Sequence, residues 1–442
     1  MAHTFPTQEK NAPLAFFFLA LYTIAVLVRP HEFSYETSEY VVIKVFAILA
    51  FLFTLLTLRP ITILPQHYML LGFTPLIMIS AFLNGWGTGG ITEAQKFFVA
   101  SIIPFFLYSG LITSISRQKI LMYISILAAL IMVYNGHIQQ QSFDGTFGYG
   151  LGGSLTMGRD EMRITYLGFF GDPNDLGMFL VMNIAFLGYF FSEKGFMKKI
   201  LMLIIFVLMC YGVLMTGSRG TLLGTIGVIC AYFFLKKAGA RLILFALILA
   251  PIVATLLAKF GGMSSSESSA NGRLEAWYSG ILMLINNPIF GVGKGNFMDH
   301  HELVAHNSYI HVAGEMGVPG YSLWAGVIII TMLASYRVIK EFNQWPDKEV
   351  TEEKKANYFA EIKINQALFF SMVGFMITAF FLSRQFTLLL FIFLGMLTAS
   401  HIRLFKIRPE LKLLFAKDMV IKSMTYCWAI IVAVYMALKV GL

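Results

Sequence analysis

Apolar runs of about 17 to 22 residues recur along the whole chain, and each has the length a helix needs to cross roughly 30 Å of hydrocarbon. Backbone N–H and C=O groups in lipid must be paired within their own segment, so the runs are expected to be α-helices. They fall near 13–29, 40–58, 67–83, 97–114, 120–134, 174–191, 200–216, 220–235, 241–258, 319–336, 364–382, 386–402 and 419–438. The expected fold is all-α, a polytopic transmembrane protein of about 12 to 13 helices with one large loop outside the spans that contains short helices. Composition agrees. Of 442 residues 57% are hydrophobic and 13% charged, with a mean hydropathy of +0.72, which excludes an ordinary soluble domain.

Cys210, Cys230 and Cys427 all lie inside apolar runs, so neither a disulfide framework nor a zinc cluster is expected. The net charge of +9 is read as cytoplasmic-loop Lys and Arg rather than as a nucleic-acid surface, and no nucleic acid is expected as partner. The polar lead up to Lys10 and the run from Pro13 to Val28 read as a retained first helix, without a signal-peptide cleavage pattern.

Orientation follows from the basic residues. With the N-terminus in the cytoplasm, Arg117 and Lys119, Lys194 to Lys199, Lys236 to Arg241, the 337–363 loop and Arg403 to Lys417 all fall inside. The reverse would translocate every cluster, against the positive-inside rule. The chain then divides into N-terminal helices over 1–258, a loop on the outer face over 259–320, and C-terminal helices over 321–442 that enclose the charged cytoplasmic loop 337–363. The same orientation puts two tight turns outside, Thr216-Gly217-Ser218-Arg219-Gly220 and Ser383-Arg384-Gln385. Each wedges an arginine between apolar spans, and a charge so placed either binds something or snorkels to headgroups. In Gly171-Asp172-Pro173-Asn174-Asp175, Asn174 or Asp175 is expected to cap the next helix, and the two acids suit holding an arginine nearby.

The loop over 259–320 concentrates polar chemistry: Arg273, Glu275, His300, His301, His306, Asn307 and His311 among glycine turns. Metal ligation is not expected. His301 and His306 are five residues apart, as are His306 and His311, which on a helix rotates one side chain about 140° from the other, whereas zinc-protease histidines use i, i+4. No Gly-x-Ser-x-Gly turn and no cysteine offers a nucleophile. What remains is an imidazole suited to general base work and guanidinium groups suited to a diphosphate. Composition and spacing leave this reading open beside another, in which these side chains bond one another and lipid headgroups.

His306-Asn307, nine residues, then Gly317-Val318-Pro319-Gly320 resembles the pattern of bacterial O-antigen ligases, a superfamily that includes O-antigen polymerases and O-oligosaccharyltransferases. Asn271 to Trp277, Asn287 to Gly293 and the Arg219 turn are similar to stretches of the same proteins. The resemblance spans about Gly171 to Gly320 and implies a multi-pass glycosyltransferase of the bacterial inner membrane with its active site facing the periplasm. It implies transfer of a glycan from undecaprenyl diphosphate to an acceptor hydroxyl, on lipid A core for a ligase or on a lipid-linked glycan for a polymerase, with no cofactor and no metal. Arg219 and Arg273 would hold the diphosphate and His306 would activate the acceptor. Asn307, Glu275, His311, Arg384 and Asp172 would line or support the substrate. Direct displacement would invert the anomeric carbon. Membrane lipid and polysaccharide assembly proteins are the other partners this reading implies.

Overall fold

The computed structural model describes residues 12–57, 62–143, 150–152, 162–237, 266–345 and 351–441. Among these residues there is no strand, and ten helices are long and apolar enough to cross a membrane. Val42–Leu56 and Arg219–Phe234 are shorter apolar helices. Twelve of the thirteen expected spans therefore correspond to helices, and the expected span 241–258 lies outside the described residues. The structure is that of an all-α, multi-pass membrane protein. Helix faces turned outward are apolar too: Leu203, Val207 and Leu214 on Phe196–Met215 are 56%, 58% and 65% exposed, a surface that suits lipid and not water.

The interior is packed by close helix approach. Helix Glu352–Thr378 lies against Pro173–Phe191 and Arg219–Lys237, and small residues set the spacing. A Cβ at Gly224 would sit 2.7 Å from Thr378 Cγ2, and one at Gly374 would sit 3.0 Å from Val181 Cγ1, so neither site admits a side chain without movement. Helix Leu388–Ile407 packs on Ile103–Leu111, and helix Ser308–Lys340 on Pro65–Ala81 and Lys417–Tyr426.

The polar stretch is more ordered than a loop. Ser266–Asn286 is one helix, Phe297–His300 a single turn, and the next long helix begins at Ser308 rather than near 319. Residues 308–320 are thus helix, although Gly317 interrupts it at φ 63° and Pro319 removes an amide donor. The break is matched from outside the helix. Val292 N and Gly293 N donate to the carbonyls of Gly314 and Glu315 at 3.0 and 2.9 Å, and Val318 N donates to Pro288 O at 2.7 Å. The backbones touch: a Cβ at Gly317 would meet Ile289 C at 2.7 Å. Glycine at 317 is required both by its positive φ and by this approach. The 288–293 and 314–318 segments are therefore one docked unit at the break in this helix.

Candidate active site

The helix from Ser308 is capped by Asn307, whose Oδ1 accepts from Tyr309 N at 3.0 Å and Ile310 N at 3.1 Å. Asn307 is fully buried, and its Nδ2 has no partner among the described residues. Ser308 ties this cap to the Ser383 turn: its Oγ donates to Leu382 O at 2.6 Å and accepts from Arg384 N at 2.9 Å. His306 precedes the cap at φ 47°, a left-handed conformation that costs a non-glycine residue about 1–3 kcal/mol and persists only where the surroundings impose it. Trp277 does so from the neighbouring helix, its Nε1 donating to Ala305 O at 2.7 Å.

Arg273 lies one turn before Trp277 on the same helix face. His306 is half-buried and makes no hydrogen bond or ion pair among the described residues. Burial holds its imidazole below the ordinary range, helped by the positive charge of Arg273, with Asp172 pulling the other way and Arg384 and His311 adding to the depression. These interactions show that Arg273, Asp172, Arg384 and His311 surround His306 within electrostatic reach.

Asp172, not Asn174 or Asp175, is the N-cap of Pro173–Phe191: its Oδ1 accepts from Asn174 N at 2.8 Å. The expected acid pair does hold an arginine, and it is Arg384. Its Nε donates to Asp175 Oδ1 at 2.5 Å and its Nη2 to Asp172 Oδ2 at 3.5 Å. Arg384 is thereby largely neutralised, so it is placed to shape the site more than to draw in an anion. His311 lies between Ser383 Oγ, 3.0 Å from Nδ1, and Glu315 Oε1, 3.0 Å from Nε2. Glu315 also accepts from Gly295 N at 2.9 Å and Phe297 N at 3.3 Å, so it links the docked glycine loop to the Ser383 turn.

Two expected residues are not gathered here. Glu275 points away from the Arg273 face, is exposed, and makes no bond among the described residues. Arg219 is exposed at the start of its helix, makes no hydrogen bond or ion pair among the described residues, and is not among the charges acting on His306. The arginine packed into its turn is Arg163, which donates from Nε to Thr216 O at 2.6 Å and from Nη2 to Asn174 Oδ1 at 3.0 Å. His300 and His301 contact their own loop through Asn296 O and Leu303 and stay apart from the cluster. Sequence reasoning missed Arg163, Ser383, Glu315 and Gln385. Glu315 alone carried a signal, an acid four residues after His311 inside an apolar helix.

Beside the cluster, the Gly168–Asp175 and Ser383–Thr387 segments enclose an open cavity of about 520 Å³. Residues 204–325, which hold Arg219, Arg273, His306 and Asn307, match the family model described as O-antigen ligase. The chain carries a domain of the O-antigen ligase superfamily. A search of curated proteins finds no match.

Proposed function

We propose that this O-antigen ligase-family protein transfers a glycan from undecaprenyl diphosphate to an acceptor hydroxyl, with lipid A core as the acceptor. The observation that carries the reading is His306. It is half-buried, unbonded among the described residues, held in a strained conformation, and has its pKa lowered by burial and by Arg273. A structural histidine finds a partner; one held neutral with its ring nitrogens unspent is suited to take a proton.

In the proposed step the acceptor oxygen attacks the anomeric carbon and its proton passes to His306. The bond from that carbon to the diphosphate oxygen breaks, and its electron pair leaves with the diphosphate. Arg273 stabilises the charge that develops there. Arg219 stands apart from the His306 cluster, at the turn that Arg163 braces, and its part in holding the diphosphate rests on the family resemblance alone. Cationic side chains at the leaving group support a metal-independent reaction, and a single displacement inverts the anomeric carbon. By the positive-inside rule the His306 end of the bundle faces the periplasm, with the protein in the inner membrane.

The test is transfer by the purified full-length protein in nanodiscs with EDTA present. Undecaprenyl-diphosphate glycan is the donor, and lipid A core and lipid-linked glycan are offered separately. Product on lipid A core, lost in His306→Ala, is expected. Growth of the lipid-linked glycan instead identifies a polymerase. Transfer unchanged in His306→Ala, or a trapped glycosyl-enzyme, overturns the mechanism.

A further inference from the structure

A second cavity, of about 280 Å³, lies in the half of the bundle that the positive-inside rule places toward the cytoplasm. Helices Phe196–Met215 and Arg219–Lys237 are joined at their outer ends by the tight turn between them, yet residues 202–206 of the first and 228–233 of the second stand on either side of an open space. Leu187, Val228 and Phe370 are its buried floor, and Phe191, Leu203 and Phe233, all exposed, are its lips. Every lining side chain is apolar or aromatic. A soluble ligand needs a few polar groups to fix its orientation, and here the Tyr232 hydroxyl is all that the lining side chains offer. The lips open on helix faces that suit lipid, so a hydrocarbon chain fits the space.

The mouth of the groove is charged. Lys199 lies one turn before Met202 and Leu203 and two turns before Phe206, so by helical spacing it continues their stripe. Its Nζ stands 5.9 Å from the centroid of the Phe191 ring, one of the lips. Lys194 is exposed in the turn that leads from Phe191 into the next helix. Neither lysine pairs with an acid among the described residues, because the acids nearby are already matched: Glu193 holds both Lys119 and Lys198, and Glu361 holds Arg403. The mouth is therefore strongly positive. Basic residues at the cytoplasmic end of a groove between membrane helices suit an anionic headgroup, whereas a headgroup without net charge leaves them unmatched.

We infer that this groove binds an anionic phospholipid of the cytoplasmic leaflet, with one acyl chain between residues 202–206 and 228–233 and its phosphate at Lys194 and Lys199. The lipid fills the space between the two legs of the hairpin whose outer turn carries Arg219. It takes no part in the reaction, and the assignment stands independently of the transferase reading.

Phe206→Trp in the full-length protein, in phosphatidylcholine nanodiscs, places an indole in the groove, and the parent measures the background of the five native tryptophans. Phosphatidylglycerol or phosphatidylcholine with brominated acyl chains, which quench indole fluorescence on contact, is included at the same low mole fraction. Stronger quenching by phosphatidylglycerol is expected, and Lys194→Ala and Lys199→Ala should each weaken that preference about fivefold, the effect of one lysine beside an anionic headgroup. Both lysines are exposed, so their loss leaves folding intact. Native mass spectrometry of the protein with Phe206 in place supplies a second reading: phosphatidylglycerol should be retained over phosphatidylcholine, and the double lysine variant should lose that preference. Equal quenching and equal retention of the two lipids would make the groove a place for ordinary bilayer lipid and overturn the site. Quenching by neither, with no lipid retained, would mean that protein fills the groove, the apolar run 241–258 being the nearest in sequence, and overturns it too. Displacement of phosphatidylglycerol by equimolar undecaprenyl phosphate would give the groove to a prenyl chain and overturn the phospholipid assignment.

Discussion

Two clusters of charge lie near opposite ends of the bundle, and they are built on opposite principles. In the first, Arg403 and Glu361 are 5% and 1% exposed and pair through two parallel bonds, Nε to Oε2 and Nη2 to Oε1, each 2.8 Å. Arg403 also donates to Ile112 O at 2.6 Å and reaches Gln118 Oε1 at 3.4 Å, while Ser400 Oγ donates to Glu361 at 2.6 Å. Both charges are satisfied and shut away from solvent. In the second, Arg384 and Asp172 are more than a third exposed, and His306 makes no bond among the described residues. A closed network fastens helices together, and an open one is ready for a ligand.

Breaking each cluster should therefore give opposite results. His306→Ala is expected to lower transfer about 10²–10⁴-fold, the usual share of a general base, with the unfolding temperature near the parent value, since alanine keeps the Cβ and with it the left-handed strain. Turnover and thermal unfolding measured on the same preparation decide it. Loss of folding with no specific loss of turnover would make the two clusters alike. Glu361→Ala is the converse. It strands a buried guanidinium and should destabilise the protein by about 3–5 kcal/mol, read as a lower unfolding temperature in detergent, while turnover per folded molecule stays near the parent value.

The contrast also explains what could be read in advance. The spans were legible because hydropathy reports burial in lipid directly, whatever the tertiary contacts. The start of the Ser308 helix was not. Gly317 and Pro319 read locally as a turn, and the helix continues past them only because amides from residues 292 and 293 take the carbonyls that the break frees. Arg273 and His306 stood out as polar residues in a short stretch between spans. Arg384 and Asp175 are 209 residues apart, so the acids suggested an arginine without naming it.

Arg384→Ala sharpens the comparison at an intermediate scale. It leaves Asp175, 4% exposed on its side chain, without its cation. Because Arg384 is itself 37% exposed, water reaches the pair, and the loss should be smaller than for Glu361→Ala, about 1–3 kcal/mol. A cost equal to that of Glu361→Ala would show the second cluster to be as closed as the first.

The finest test is electrostatic. The unprotonated form of His306 is the active one, and burial with Arg273 holds its pKa below the ordinary value of about 6.5, so the acid limb of kcat/KM should lie below that value. Arg273→Gln removes a positive charge, which favours the imidazolium, raises the His306 pKa and moves the limb to higher pH. Asp172→Asn removes the negative charge that favours the imidazolium, so the limb moves to lower pH. Both variants also weaken substrate contacts and lower the height of the profile, but position and height are separate readings. Shifts in opposite directions would show that the limb belongs to His306 and that the open cluster sets its basicity. A limb that stays fixed in both would assign the titration to another group and leave His306 without its role as base.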